Sequence, residues 1–266
     1  MMKAKELLPK RTADSNKGTY GKLLIIAGKK ECAGCAILSS LAALRSGLGM
    51  VKVVSPNSNF TAVMNTVPEA LFSSDTDDAS IRDDIAWADA VLIGPGIGTG
   101  NRAKRLVNLV LSSRDIPVVI DADGINVIAL NDQLKKALKK KAESDEVVIT
   151  PHLMEMSRLC GLPVPEIKKQ MKEIAAKISD EYGVTTALKD AATVTSSPEG
   201  EIVVNTTGNN GMSTAGSGDV LAGVVGSFLT QSLPGFEAAS LGVYVHGLAG
   251  DVAAEKYGVR GMKALD

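Results

Sequence analysis

Residues 208–223 read GNNGMSTAGSGDVLAG, and their single carboxylate, Asp219, stands between a glycine-rich turn and an apolar run with helical character. Gly216 and Gly218 permit backbone conformations closed to other residues and leave successive N–H groups free to face a ligand. A helix starting at Ser217 or Gly218 adds its positive end to that attraction. Such an arrangement is an anion hole, suited to a phosphate whose charge develops during transfer. A carboxylate beside it can accept the proton of a hydroxyl that attacks phosphorus. The same pattern also describes an ordinary helix start capped by Ser217 or Asp219, and the segment alone does not separate the two.

Other segments hold residue types that this chemistry would use. GPGIGTG (94–100) follows an apolar run and precedes a helix, so its amides could meet a phosphate or a ribose. It lacks the Lys-Ser/Thr ending of a P-loop, and a tight strand-to-helix turn explains it equally well. DADGIN (121–126) brings Asp121 and Asp123 to a strand end, one able to bind a metal or a hydroxyl and the other to cap the next helix. TPHLMEMSRL (150–159) holds His152, with Glu155 one turn along to orient it or to stabilise the helix start. The other histidine, His246, lies in an apolar helix and reads as a satisfied core residue. Cys32 and Cys35 have the CxxC spacing. They lack thioredoxin-type aromatic or proline neighbours, so catalytic redox chemistry is the weaker reading. The chain has too few histidines and cysteines for a zinc cage.

These residues must be positioned by regular elements. KLLIIAG (22–28), MVKVVSP (50–56), ADAVLIGPGIG (88–98), IPVVIDADG (116–124), DEVVITPH (145–152) and TTALKD (185–190) are apolar throughout. Strands of that kind are buried on both faces, as in a parallel sheet covered by helices. Several end in Gly, Pro, Asp or His, which gathers the special residues at the carboxyl rim where α/β proteins bind ligands. A helix follows over 34–47, with Ile37, Leu38, Leu41 and Leu44 at helical spacing. Two alternating runs flank SPEG within 192–205, an antiparallel hairpin signal. Two helices then follow, the second with Gly242, Gly247 and Gly250 to allow close packing, and the chain ends at GMKALD in what reads as a terminal helix. No linker or repeat divides residues 1–266, so one α/β domain is expected.

Composition excludes other classes. A net charge of −1 offers no long-range attraction to polyanions, and aromatics at 3% give no stacking platform, so nucleic acid is not an expected partner. The N-terminal stretch has no apolar segment of signal-peptide length, and no run is long enough to span a bilayer. Three cysteines cannot all pair within one chain, which fits a reducing, cytoplasmic setting.

NKGTYGKLLIIAG, AALRSGLGMV, GPGIG, VIDADGIN, TPHLMEMSRLCG and GNNGMSTAGSGDVLAG occur in an order that resembles the ADP- or ATP-dependent NAD(P)H-hydrate dehydratases over nearly the full length. The resemblance implies a ribokinase-like three-layer α/β/α fold, with a mainly parallel central sheet and a C-terminal β-hairpin plus helices. It implies repair of a hydrated nicotinamide cofactor, (6S)-NADHX or NADPHX: the C6 hydroxyl is phosphorylated and phosphate then leaves. Asp219 would be the general base, with the amides around Gly216 and Gly218 holding the phosphate. Gly34, Cys35, Gly96, Gly98 and His152 would line the hydrate pocket. KDAAT (Lys189, Asp190, Ala191, Ala192, Thr193) matches a nucleotide-contacting lysine-glycine motif, with Lys189 near the phosphates. Magnesium (Mg2+) would arrive with ADP or ATP, with no dedicated protein cage. A homotetramer is implied, as is a separate epimerase for the other hydrate epimer, since the residues before the first strand are too few for an epimerase domain.

The chain departs from the family pattern at three places. Family members commonly have TPHPGE where this chain has TPHLMEM, alanine at Cys35 and glycine at Asp190. A carboxylate at 190 beside a polyphosphate is repulsive by about 1 kcal/mol in a water-like dielectric, so it must turn away or meet a cation. Two alternatives share the motifs: a vitamin-precursor alcohol kinase of the same superfamily using the same Asp219, and a nucleotide-binding protein without turnover that needs no base there.

Overall fold

The computed structural model describes residues 8–266; the first seven, part of the N-terminal stretch read above, lie outside it. Among the described residues nine strands form one sheet in the order β3-β2-β1-β4-β5-β6-β7-β8-β9. They are β1 Lys22–Ile26, β2 Met50–Ser55, β3 Leu71–Ser74, β4 Ala90–Ile93, β5 Val118–Ile120, β6 Val147–Ile149, β7 Thr185–Leu188, β8 Val194–Ser196 and β9 Ile202–Val204. All pairings from β3 to β7 are parallel. β8 and β9 continue antiparallel as the expected hairpin. Strand order reverses between β1 and β4, so the turns after these two strands open a crevice at the carboxyl rim.

Both faces of the sheet are buried, as the unbroken apolar runs required. Leu24, Ile26, Val91 and Ile93 point into one layer with α3 Asp78–Trp87, α4 Asn101–Leu111, α5 Asp123–Ala129, α6 Asp132–Ala142, α7 Leu153–Cys160, α8 Val164–Lys169 and α9 Met171–Tyr182. Leu23, Ile25, Val51 and Val53 point into the other with α1 Gly34–Arg45, α2 Phe60–Thr66, α10 Ser217–Thr230 and α11 Gly235–Tyr257. The result is a three-layer α/β/α architecture. Fully buried Phe228 on α10 is the largest side chain of the second layer, and burying such a group contributes about 1.5–3 kcal/mol.

α1 turns its small residues to the core. Ala36, Ser39, Ser40 and Ala43 are buried, whereas Ile37, Leu38, Leu41 and Leu44 are only half-buried. That small face lets α10 approach until a Cβ at Gly223 would overlap the Ser39 carbonyl. Ser39 Oγ donates to the Asp219 carbonyl at 2.9 Å, fixing the start of α10 against α1. Gly242 packs against Val225, Gly247 against Thr207 and Gly250 against Met212, the close contacts foreseen for α11.

Two readings of the sequence are corrected. β3 was not anticipated: LFSS is a four-residue edge strand lacking the apolar run that marks its neighbours. The terminal helix stops at Tyr257, and Gly258 takes a positive φ of 71° that ends it, so GMKALD lies in turns. No helix among the described residues is long and apolar enough to cross a membrane.

Candidate active site

α10 begins at Ser217, with Gly216 at the N-cap position in the left-handed region at φ 91°. Among the described residues no side chain caps this helix, which removes the reading of Ser217 or Asp219 as a cap. The Ser217 N–H donates to the Thr214 carbonyl at 3.3 Å and the Val220 N–H to the Gly216 carbonyl at 3.0 Å. Among the described residues no acceptor meets the Gly218 or Asp219 N–H. Two amides at the positive end of a fourteen-residue helix are thus free to receive an anion.

A lysine stands opposite them. Lys189 follows β7 and its N–H donates to the Pro151 carbonyl at 2.8 Å, which locks its strand end to the His152 turn. Its Nζ lies 3.4 Å from where a Cβ at Gly218 would be, and 2.8 Å from Asp121 Oδ1. Burial works against the Lys189 charge, but the Asp121, Glu155 and Asp219 carboxylates outweigh it and hold its pKa above the ordinary value. Asp121, which is 1% exposed, also accepts from Thr150 Oγ1 at 2.7 Å. It therefore binds a cation and a hydroxyl of the protein itself, rather than capping the next helix.

Asp219 is partly buried at this point. Burial first, then the Asp121 and Asp123 charges, push its carboxyl up to about 6, with Lys189 pulling the other way. It is ionised at neutral pH yet basic enough to take a proton, the tuning expected of a general base.

On one side, the turns of the crevice converge. Gly96 takes φ 64°, and a Cβ there would come within 2.5 Å of Cys35 Sγ, so no other residue fits at 96 without displacing Cys35. The Gly98 N–H donates to Asp123 Oδ2 at 2.8 Å. Arg102 of α4 donates to the Gly28 carbonyl at 3.0 Å and the Ile97 carbonyl at 3.2 Å, tying the β1 and β4 turns together. The Cys35 thiol is pushed up to about 12 by burial, then by Asp219 and Cys32. A thiol held protonated in an electronegative setting is not a redox nucleophile; Cys32, Cys35 and Cys160 are all free.

On the other side lies a cavity of about 670 Å3, within the roughly 300–1,000 Å3 of small-molecule sites. Lys189, Asp190, Ala191, Thr193 and Gly218 are among its walls, and so is His152, which the resemblance had grouped with the Cys35, Gly96 and Gly98 turns instead. Ala192 is exposed and stands outside the lining. Asp190 meets a cation, as its position demanded: its Oδ2 pairs with Lys168 Nζ at 3.2 Å. His152 has a second duty, since its Nδ1 accepts from the N–H of Met154 and Glu155 at 3.1 Å each and caps α7. Glu155 Oε2 returns the bond to the His152 N–H at 2.8 Å. Burial pushes Glu155 up to about 7, with Asp121 adding to the rise and Lys189 opposing it.

His246 is a correction. It is no satisfied core residue: it lines the same cavity, and no hydrogen bond reaches it among the described residues. Burial and the Lys189 charge push it down to about 4, so the imidazole is neutral. The apolar stretch around it hid the fact that this turn of α11 faces the ligand side. For a metal, no group of three or more His, Cys, Asp or Glu among the described residues forms a cage.

A family model described as NAD(P)H-hydrate dehydratase matches residues 23–266. A bifunctional NAD(P)H-hydrate repair enzyme of Moorella thermoacetica is 36% identical over 97% of this chain and 50% of its own length. The chain thus spans about half the length of such bifunctional relatives. An ADP-dependent (S)-NAD(P)H-hydrate dehydratase of Neisseria meningitidis is 36% identical over 94% of this chain and 82% of its own. The crystal structure of an ADP/ATP-dependent NAD(P)H-hydrate dehydratase from Bacillus subtilis, co-crystallised with ATP/Mg2+, superposes with a TM-score of 0.84 at 28% identity, covering 98% of this chain and 91% of that one. On these likenesses the chain belongs to the NAD(P)H-hydrate dehydratase family.

Proposed function

We propose that this protein is a lyase that restores hydrated NADH or NADPH, using ADP as phosphoryl donor. Asp219 accepts the proton of the C6 hydroxyl as its oxygen attacks the terminal phosphorus of ADP. The bond from that phosphorus to the bridging oxygen breaks and AMP leaves. The C6–O bond then breaks, the ring nitrogen lone pair assisting, and phosphate departs. Loss of a C5 proton closes the C5–C6 double bond, so one ADP and one hydrate give AMP, phosphate and the reduced cofactor. Magnesium carried by the nucleotide supplies charge neutralisation at the phosphates when bound.

The observation that carries this reading is the uncapped start of α10, which sets Asp219 and two free amides between the Cys35–Gly96–Gly98 turns and the Lys189 cavity. Hydrate on the first side and nucleotide on the second would meet at Asp219. Gly218 N–H, Asp219 N–H and Lys189 Nζ would then surround the transferring phosphoryl group. The name of the Neisseria relative favours ADP over ATP as donor. The bifunctional name of the Moorella relative supports a functional link between this activity and hydrate epimerisation. The exposed Leu248 and Val252 on α11 support a homo-oligomer, with a tetramer as the expected state.

Asp219→Asn tests the assignment. We expect nucleotide binding close to wild type, measured by calorimetry, with turnover reduced about 10²–10⁴-fold. Turnover at the wild-type rate would remove Asp219 from the role of base.

A further inference from the structure

Between β5 and α5 the chain makes a turn at Ala122, whose φ of 49° and ψ of −118° lie where residues with a Cβ are strained. The turn separates two carboxylates that go to different places. Asp121 runs under the nucleotide side, to Thr150 Oγ1 and Lys189 Nζ. Asp123 runs under the hydrate side, to the Gly98 N–H. The turn is also pressed against the end of β4. A Cβ at Gly94, itself at φ 128°, would overlap the Asp121 carbonyl, and one at Gly124 would come within 2.9 Å of Ile120 and 3.1 Å of the Ile93 carbonyl. Backbone bonds complete the clamp: Asp121 N–H to the Ile93 carbonyl at 3.1 Å and Gly124 N–H to the Asp121 carbonyl at 3.0 Å.

We propose that Asp121 and Asp123 are a pair of positioning residues, one holding Lys189 and the other the Gly98 turn, which join the two half-sites through a single strained turn and set the charge felt by Asp219. This rests on the function proposed above. Neither residue needs to touch a reacting atom. A ligand or helix-capping role would leave Asp121 facing a vacancy or the α5 amides, whereas both hydrogen bonds resolved on Oδ1 run to other strand ends. The charged or titratable groups that face Asp219 are Asp121 from the end of β5, Asp123 from α5, Lys189 from the end of β7 and Cys35 from α1. The two carboxylates raise its proton affinity and Lys189 lowers it, so removing one carboxylate must make Asp219 a weaker base.

The test is a carboxyl carbon-13 titration of Asp-labelled protein, with the Asp219 signal assigned by its loss in Asp219→Asn. In Asp121→Asn the midpoint of Asp219 should fall from about 6 toward the ordinary carboxylate range. Thr150→Val removes a hydrogen bond from Asp121 but keeps its charge, so its midpoint should stay at the wild-type value. Asp123→Asn should lower the midpoint as well, and shift the Gly98 amide signal. An unchanged midpoint in Asp121→Asn, or an equal fall in Thr150→Val, would overturn the proposal. This readout needs no turnover, so it judges the positioning role separately from the activity. If wild type is active, the acid limb of kcat should move to lower pH in Asp121→Asn by the same interval, and a kcat profile that does not follow the titration would contradict the link to catalysis.

Discussion

Asp219 carries a cost that its chemistry explains. Its carboxyl is raised from 3.8 to about 6 in the fold, so ionising it opposes folding by about 3 kcal/mol at neutral pH, at roughly 1.4 kcal/mol per unit. The sign follows from the raised value: the protonated form favours the fold below pH 4, and this is lost as pH rises through 6. Asp219→Asn removes the penalty and should raise the melting temperature at pH 7.5, on the order of 5 °C for a chain of this size. A melting point equal to or below wild type would show that the site does not strain this carboxylate. Sequence exposed Asp219 because glycines and a helix start flank it locally. It hid the pairing of Lys189 with Asp121, 68 residues apart, since only the sheet brings their strand ends together. It also hid His246, whose apolar neighbours are those of a core helix although its own turn borders the cavity.

Among the elements, α10 shows how two nearby glycines differ. Gly216 is left-handed, and a Cβ there would overlap Leu38 of α1. Gly216→Ala should therefore destabilise the protein by about 1–3 kcal/mol, read by urea unfolding. Gly218 has no positive φ, and its nearest neighbour to a new Cβ would be Lys189 Nζ at 3.4 Å, an ordinary contact. Gly218→Ala should unfold like wild type within about 1 kcal/mol, yet bind ADP at least tenfold more weakly because the methyl occupies phosphate space. If both variants lose stability alike, the glycine at 218 serves packing and not the ligand. The parallel strands were legible because burial on both faces demands unbroken apolar runs. The hairpin of β8 and β9 was legible from alternation around its turn. β3 was not, because a short edge strand with Leu71 half exposed to solvent needs no such run.

For the molecule as a whole, titrating groups around the site act on stability in opposite directions. Glu155 and Asp219, raised to about 7 and about 6, take up protons in the fold before the unfolded chain does, so acidification from pH 7 favours folding through them. His246, pushed down to about 4, stays neutral while unfolded histidine takes a proton near 6.5, so acidification opposes folding through it; His152, lowered first by burial, acts in the same direction. The contributions oppose one another between pH 7 and pH 5. His246→Gln removes one opposing group, so this variant should become more stable relative to wild type as pH falls over that interval. Denaturant midpoints at several pH values check it; parallel curves for the two proteins would refute the neutral, desolvated state of His246. The same burial that sets these values makes the rim between the two half-sites a place where charge is controlled by position rather than by solvent.

The most direct measurement is an incubation of the purified protein with hydrated NADH, magnesium and ADP, following the near-ultraviolet absorbance of NADH alongside free phosphate and AMP. All three should appear together in equal amounts, and faster with ADP than with ATP. Consumption of nucleotide without recovery of NADH would contradict the dehydratase reading and leave a kinase acting on another alcohol, and no change in any of the three would leave a nucleotide-binding protein without turnover.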